Sequence, residues 1–201
     1  MRMAHDTLAH VIRALDHDGR PSSDFDLNPD VILPEGRRLR PAGVLVPLIE
    51  RSFGTQVILT KRSSALKHHP GQIAFPGGKQ DEGDSDVIAA ALREAEEEIA
   101  LDRSNVEVLG TLPAHETVTG FIVTPVLARV HAPFTPRPEP GEVAEVFEVP
   151  LAHVTDSARF IIQSRRWRGQ RRHYFTVPYG PYYIWGATAR ILRALADRMD
   201  G

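Results

Sequence analysis

Glu94, Glu97 and Glu98 occur at i, i+3 and i+4 within the run Asp86–Ala100. At about 100° per residue, that spacing puts all three carboxylates on one arc of a helix. The run itself favours a helix. It has no Gly or Pro, it contains five alanines, and Ile88, Ala91, Leu92, Ala95 and Ile99 share a neighbouring arc that reads as the buried face. Like charges at i,i+4 cost about 0.2–0.5 kcal/mol each, and acids near a helix C-terminus oppose the macrodipole. One reading is a solvated acidic face, partly relieved by Arg93. The sharper reading is a divalent cation that neutralises the cluster. Magnesium is held through a few carboxylates together with substrate phosphate oxygens. The segment before the helix supports the sharper reading, because Phe75-Pro76-Gly77-Gly78 is a strand end followed by two glycines. Glycine lets a backbone approach a ligand closely, so a phosphate chelated between that loop and a metal makes a coherent site.

These residues resemble the Nudix box. The family pattern is a Gly, five residues, an acid, seven residues, then R-E-U-x-E-E-x-G-U, with U apolar. Here Gly78 leads to Asp84, which stands where Glu is usual, and eight residues rather than seven separate Asp84 from Arg93. The heart of the box, Arg93-Glu94-Ala95-Glu96-Glu97-Glu98, is intact, while Ala100 stands where the pattern has Gly. Upstream, Ile58-Leu59-Thr60-Lys61-Arg62-Ser63 runs through Lys67 and Gly71 to Phe75-Pro76-Gly77-Gly78. This is similar to the signature of the coenzyme A pyrophosphatase branch, L-L-T-x-R-S-x3-R-x3-G-x3-F-P-G-G. Ile58 replaces Leu and Lys67 replaces Arg, and Lys lacks the bidentate fork of Arg. The Asp and the one-residue insertion match that branch. Together the two motifs cover residues 58–101.

The resemblance implies a fold of the α+β class: an α/β/α sandwich built on a mixed β-sheet flanked by helices. It implies Mg²⁺ or Mn²⁺ as cofactor, with Glu94 and Glu98 as ligands and Glu97 as a third. Those three and Arg93 make up the implied catalytic set, Arg93 holding the acids and the loop in place. Arg62, Lys67, Gly77 and Gly78 are the implied substrate-binding residues. The implied reaction is hydrolysis of the diphosphate bond of coenzyme A or acyl-coenzyme A, giving 3′,5′-ADP and 4′-phosphopantetheine or its acylated form. A bound metal polarises phosphoryl oxygens and lowers the pKa of a bound water, and a carboxylate not saturated by metal can take the water's proton. Glu94, Glu98, Glu116, Glu142 and Glu145 all stay open as that base. Two other readings stand beside this one. The first is a Nudix hydrolase acting on ADP-ribose or NADH. The second is a non-catalytic nucleotide-binding module, against which the intact carboxylate cluster speaks.

The elements that must position these groups are readable from periodicity. Residues 4–16 form an amphipathic helix on Leu8, Val11, Ile12 and Leu15, and an aperiodic Pro/Gly/Ser/Asp-rich linker follows. This divides the chain into an N-terminal helix and linker over 1–40, packed on a catalytic domain over 41–201. Ala42–Ile49 and Gln56–Thr60 read as strands of a hairpin turning at Arg51-Ser-Phe-Gly, and Gln72–Phe75 as a short strand. Val106–Leu112, Phe121–Val130 and Val143–Val149 are further strands. Arg171–Val177 and Tyr182–Trp185 read as a β-rich pair, and Ala187–Met199 as a closing helix. No G-x-G-x-x-G follows a strand, so a dinucleotide-binding doubly wound sheet has no support.

Beyond the motifs, Lys79 and the adjacent His68 and His69 flank the glycine loop. Either surface charge or phosphate contact suits Lys79, and the histidines read as structural or solvated. The basic run Arg165-Arg166-Trp167-Arg168-Gly169-Gln170-Arg171-Arg172-His173 reads as a solvated hairpin turning at Gly169, with an anionic ligand or a second subunit as the alternative. A homodimer therefore stays open. The 201 residues carry 26 acids and 24 bases, for a net charge of −2. That balance argues against a general binder of nucleic acid or anionic membrane. No apolar run approaches the roughly 20 residues of a transmembrane helix, and MRMAHDTLAH has no secretory h-region. The expectation is a soluble cytoplasmic enzyme. With no cysteine, disulfides, thiolate metal sites and a cysteine nucleophile are excluded.

Overall fold

A computed structural model describes residues 2–17, 19–167 and 169–200, omitting the side chains of residues 2–7 and of Trp167. Arg168, in the basic run, therefore lies outside the described residues.

The elements run in the order α1 (Arg2–Leu15), β1 (Ser22–Ser23), β2 (Arg40–Arg51), β3 (Gly54–Arg62), β4 (Ile73–Ala74), β5 (Gly77–Lys79) and α2 (Val87–Ile99). They continue with β6 (Val106–Thr111), β7 (His115–Glu116), β8 (Phe121–Val130), β9 (Val143–Pro150), α3 (Leu151–Val154), β10 (Ile161–Trp167), β11 (Gln170–Thr176) and α4 (Gly186–Asp200). Strands β1 to β9 form one mixed sheet whose main path is β1-β7-β8-β2-β3-β4, with β5 on β2, β6 on β8 and β9 on β3. Its spine is the parallel pair β2–β8, in register from Arg40↔Phe121 to Ile49↔Val130. A parallel pair needs a long crossover; here it includes α2.

Period-2 alternation sends side chains to two cores. From β2, Leu45 and Ile49 join Ile58, Val126 and Ala128 against Ala91, Ala95 and Ile99 of α2. The opposite face, with Val46, Leu48, Val57, Leu59 and Leu127, packs on Leu8 and Val11 of α1 and on Leu192 and Leu195 of α4. Helices therefore cover both faces of a mixed sheet, as the α+β sandwich requires.

Several local expectations need correction. Tyr182–Trp185 is not a strand; it makes only the isolated bridges Tyr179↔Tyr182 and Thr176↔Trp185. The partner of β11 is β10, in unbroken antiparallel register from Ile161↔Thr176 to Trp167↔Gln170, because a tight turn closes two consecutive strands at less entropic cost than the longer loop through Gly180 and Pro181. The expected strand at Gln72–Phe75 shrinks to two residues, and the glycine loop is itself a strand, β5, antiparallel to β2. Ile12, assigned to the buried face of the first helix, is exposed, and Ile88 and Leu92 of α2 are only partly buried.

Candidate active site

The carboxylates of α2 separate into two environments. Asp86 caps the helix, accepting from the Ala89 N–H at 2.8 Å. The helix lies so close to β5 that a Cβ on Gly78 would sit 2.5 Å from Glu94 Oε1. Gly77 holds φ at +152°, and a Cβ there would meet the Gly43 carbonyl oxygen at 2.5 Å. Only glycine fits at position 77, while a Cβ at position 78 would displace the Glu94 carboxylate. In that cradle the Gly77 N–H donates to Glu98 Oε2 at 3.1 Å. Glu98 is only 5% exposed, whereas the Glu97 side chain is 58% exposed. A bare helical wheel put all three on one arc, but the approach of β5 selects Glu94 and Glu98.

Arg93 organises the rim. Its Nε and Nη2 donate to the two oxygens of Asp84, both at 3.0 Å. Its Nη1 reaches Glu94 and Glu97, each at 3.0 Å. This is the bidentate geometry that favours arginine at carboxylates. The Asp84 carboxyl is held below its ordinary range by those bonds, and the Arg93 guanidinium is driven further into its charged form. Asp84, the shorter acid that precedes the one-residue insertion, is thus the anchor that ties the loop to α2.

The pair at the centre is under-compensated. Burial raises the Glu94 pKa, and the charge of Arg93 only partly offsets this. Burial pushes Glu98 up to about 7, against the Gly77 hydrogen bond and with help from the Glu94 charge. Two desolvated carboxylates in a glycine cradle are a donor set suited to a hard divalent cation. Among the described residues, no group of three His, Asp or Glu side chains closes on one point. Protein donors beyond Glu94 and Glu98 are therefore few, which suits a metal that keeps water and phosphate oxygens.

The remaining acids sit apart from one another. Glu142 is exposed, yet its charge reaches both Glu94 and Glu98. Glu116 is ion-paired with Arg37, and Glu145 accepts from the Tyr182 hydroxyl at 2.5 Å.

A cavity of about 250 Å³ opens beside Gly77. Arg62 lines it, with Nε buried and without a hydrogen-bond partner among the described residues. The Arg62 charge is felt at both Glu98 and His69. Lys67, expected alongside Arg62, is exposed and is not part of this lining. Lys79 turns outward to Asp81, 2.7 Å away. Three further contributors to the wall were read from the sequence first as structural or solvated, with an anionic ligand as the alternative for the basic run only. His69 is one, in a left-handed conformation at φ 53°. Arg165 and Arg172 are the others, facing each other across β10–β11. Alternation along the hairpin was the signal for the arginines, but it does not say which face meets a cavity.

Asp24 also lines the cavity, and with Ser22 and His115 it composes a Ser–His–Asp chain. Ser22 Oγ lies 2.9 Å from His115 Nδ1, and His115 Nε2 lies 3.1 Å from Asp24 Oδ1. His115 is fully buried and Ser22 nearly so. Asp24 Oδ2 additionally accepts from the Val118 N–H at 2.8 Å. The chain therefore clasps β1 to β7 and offers no accessible nucleophile.

A model of the NUDIX domain matches residues 39–168. The chain is 45% identical over 157 residues to NudL of Escherichia coli (strain SMS-3-5 / SECEC), described as an uncharacterized Nudix hydrolase, covering 78% of this chain and 81% of that protein. NudL of Shigella boydii serotype 4 (strain Sb227) matches with the same identity and coverage. Among solved structures, the fold is similar to the Nudix hydrolase RenU of M. smegmatis, with TM-score 0.50, 24% identity, and 61% of this chain and 84% of that one covered. It is also similar to a MutT/nudix family protein of Enterococcus faecalis, with TM-score 0.51, 16% identity, and 86% and 66% covered. A glycine-cradled glutamate pair on the crossover helix of a mixed sheet, and a family match over most of the chain, identify this protein as a member of the Nudix hydrolase family.

Proposed function

We propose that this Nudix hydrolase cleaves the diphosphate bond of coenzyme A or acyl-coenzyme A, releasing 3′,5′-ADP and 4′-phosphopantetheine or its acylated form. The observation that carries the reading is the contact between Gly77 and Glu98, 3.1 Å from N–H to Oε2. It joins the end of the upstream motif, residues 58–78, to the helix of the Nudix box, and the same upstream motif brings Arg62 to the adjoining cavity.

Glu94 and Glu98 would hold Mg²⁺ or Mn²⁺, with Glu97 at the exposed edge and Arg93 as a positioning residue bound to Asp84. When bound, such an ion neutralises phosphate charge and acidifies water. The rest is the work of this chain. Arg62 presents a guanidinium with an unmet donor to the diphosphate. The Gly77–Gly78 strand lets the substrate approach the carboxylates without a side chain in between. Glu142, uncommitted by any side-chain bond among the described residues and within electrostatic reach of Glu94 and Glu98, is our choice for the group that accepts the water's proton. Lys67, exposed on the loop, would meet substrate only at the cavity mouth.

The test is a panel of coenzyme A, an acyl-coenzyme A, ADP-ribose and NADH, incubated with purified protein and Mg²⁺ or Mn²⁺ and followed by mass. The expected result is turnover of the coenzyme A compounds to the two named products. Fast turnover of ADP-ribose with none of coenzyme A would refute the substrate assignment and leave the chemistry in place. Glu98→Gln should lower the rate by a factor of about 100 or more, with unchanged circular dichroism.

A further inference from the structure

We propose that Arg165 and Arg172 form a second anion subsite of the cavity, one that reads a phosphate monoester on the nucleoside half of the substrate. This rests on the coenzyme A reading above, in which that group is the 3′-phosphate, distinct from the diphosphate at Arg62.

The hairpin places like charges opposite one another. Arg165 is the register partner of Arg172, and Arg166 that of Arg171. Like charges directly opposite on a ladder are destabilising. Successive cross-strand pairs point to opposite faces, and only Arg165 and Arg172 line the cavity. The outer pair is exposed; of the inner pair, Arg165 is exposed and Arg172 is half-buried. The inner pair has aromatic neighbours: the Arg165 guanidinium lies 4.3 Å from the Trp185 ring centroid and that of Arg172 lies 5.6 Å from that of Phe25. Among the described residues Arg165 makes no ion pair with a carboxylate. Stacking holds a guanidinium flat while its N–H edge stays available to an oxyanion.

The charges of the cavity wall form a sequence. Arg62 acts on Glu98 and on His69, and Arg165 acts on His69. His69 is consequently held below the ordinary imidazole range, first by partial burial and then by Arg62, His68 and Arg165. Asp24 is the only acid on the cavity wall among the described residues, and its oxygens are already engaged by His115 and Val118. An anion entering this cavity meets three guanidinium groups, of which Arg165 has no carboxylate beside it among the described residues. A diphosphate beside Gly77 accounts for Arg62 but not for the pair on the hairpin.

The experiment compares coenzyme A with dephospho-coenzyme A, which lacks only the 3′-phosphate, as substrates of the full chain with Mg²⁺. For wild type, KM should be lower for coenzyme A. Arg165→Gln and Arg172→Gln should each raise that KM roughly tenfold or more, with kcat and the dephospho-coenzyme A parameters little changed. Arg166→Gln, on the outer face, should change neither. Loss of equal size on both substrates, or on neither, overturns the proposal. Calorimetric titration of 3′,5′-ADP against 5′-AMP tests the subsite without turnover. If coenzyme A is not hydrolysed but 3′,5′-ADP binds tighter than 5′-AMP, and Arg165→Gln abolishes the difference, the subsite stands and the substrate reading falls. Equal binding of the two nucleotides overturns the subsite, whatever the protein hydrolyses.

Discussion

Glu98 is a carboxylate kept where ionisation is costly, and that has a measurable consequence for the metal-free protein. Its folded pKa, about 7, lies above the ordinary value of 4.5. The fold therefore favours the protonated form. The stability this gives is complete below the unfolded pKa and is lost as pH rises through about 7. In the presence of a chelator, Glu98→Gln should be more stable than wild type at pH 8, by an upper bound of roughly 3 kcal/mol. The gap should close near pH 4.5. Urea melts at several pH values check this, and a constant gap would show that Glu98 is not desolvated. At this scale the sequence was partly legible. The resemblance to the two motifs singled out Glu94, Glu97, Glu98, Arg93 and Arg62 as candidates. The division between the buried Glu98 and the exposed Glu97 did not, because it depends on where β5 crosses the helix.

Helix α2 shows how one departure from the family pattern is accommodated. Ala100 occupies the left-handed C-terminal position, with φ 57° and ψ 36°. Its N–H bonds the Glu96 carbonyl at 3.0 Å, and the Leu101 N–H bonds that of Ala95 at 3.3 Å, a Schellman closure. A side chain in this region costs roughly 1–2 kcal/mol, partly offset by the extra chain entropy glycine brings to the unfolded state. Ala100→Gly should therefore raise stability by up to about 1 kcal/mol, read from the urea midpoint. A drop instead would mean that the Ala100 methyl makes packing contacts that outweigh the strain. The helix ends were legible because caps are local. The aromatic run Tyr182–Trp185 was misread because its role is tertiary. Tyr182 stacks on Phe147 at 3.6 Å between ring centroids, so it caps β9 rather than extending a ladder. Composition favours a strand there, but the run makes only single bridges, Tyr179↔Tyr182 and Thr176↔Trp185.

In the molecule as a whole, the resemblance implied a mixed sheet flanked by helices, and the structure agrees. What periodicity could not forecast was the use made of the aperiodic segment before β2. Asn28, nearly buried, donates to the His173 carbonyl at 2.9 Å and accepts from the His173 N–H at 2.7 Å. One side chain thus satisfies both backbone groups of a residue on β11, as a neighbouring strand would. Asn28→Ala should leave those groups unpaired at a cost of about 1–3 kcal/mol. Amide exchange in β10–β11 should quicken while that of α2 is unchanged. Uniform exchange in both elements would show that the hairpin stands without this bond.

The Asn28 bond also bears on descent. Residues 39–168, the part shared with the wider family, contain every carboxylate of the candidate centre, whereas Asn28, His173, Arg172 and Trp185 fall outside it. Of the two arginines proposed as a subsite, Arg165 lies inside that span and Arg172 beyond it, so the cavity wall draws on both the shared stretch and its C-terminal flank.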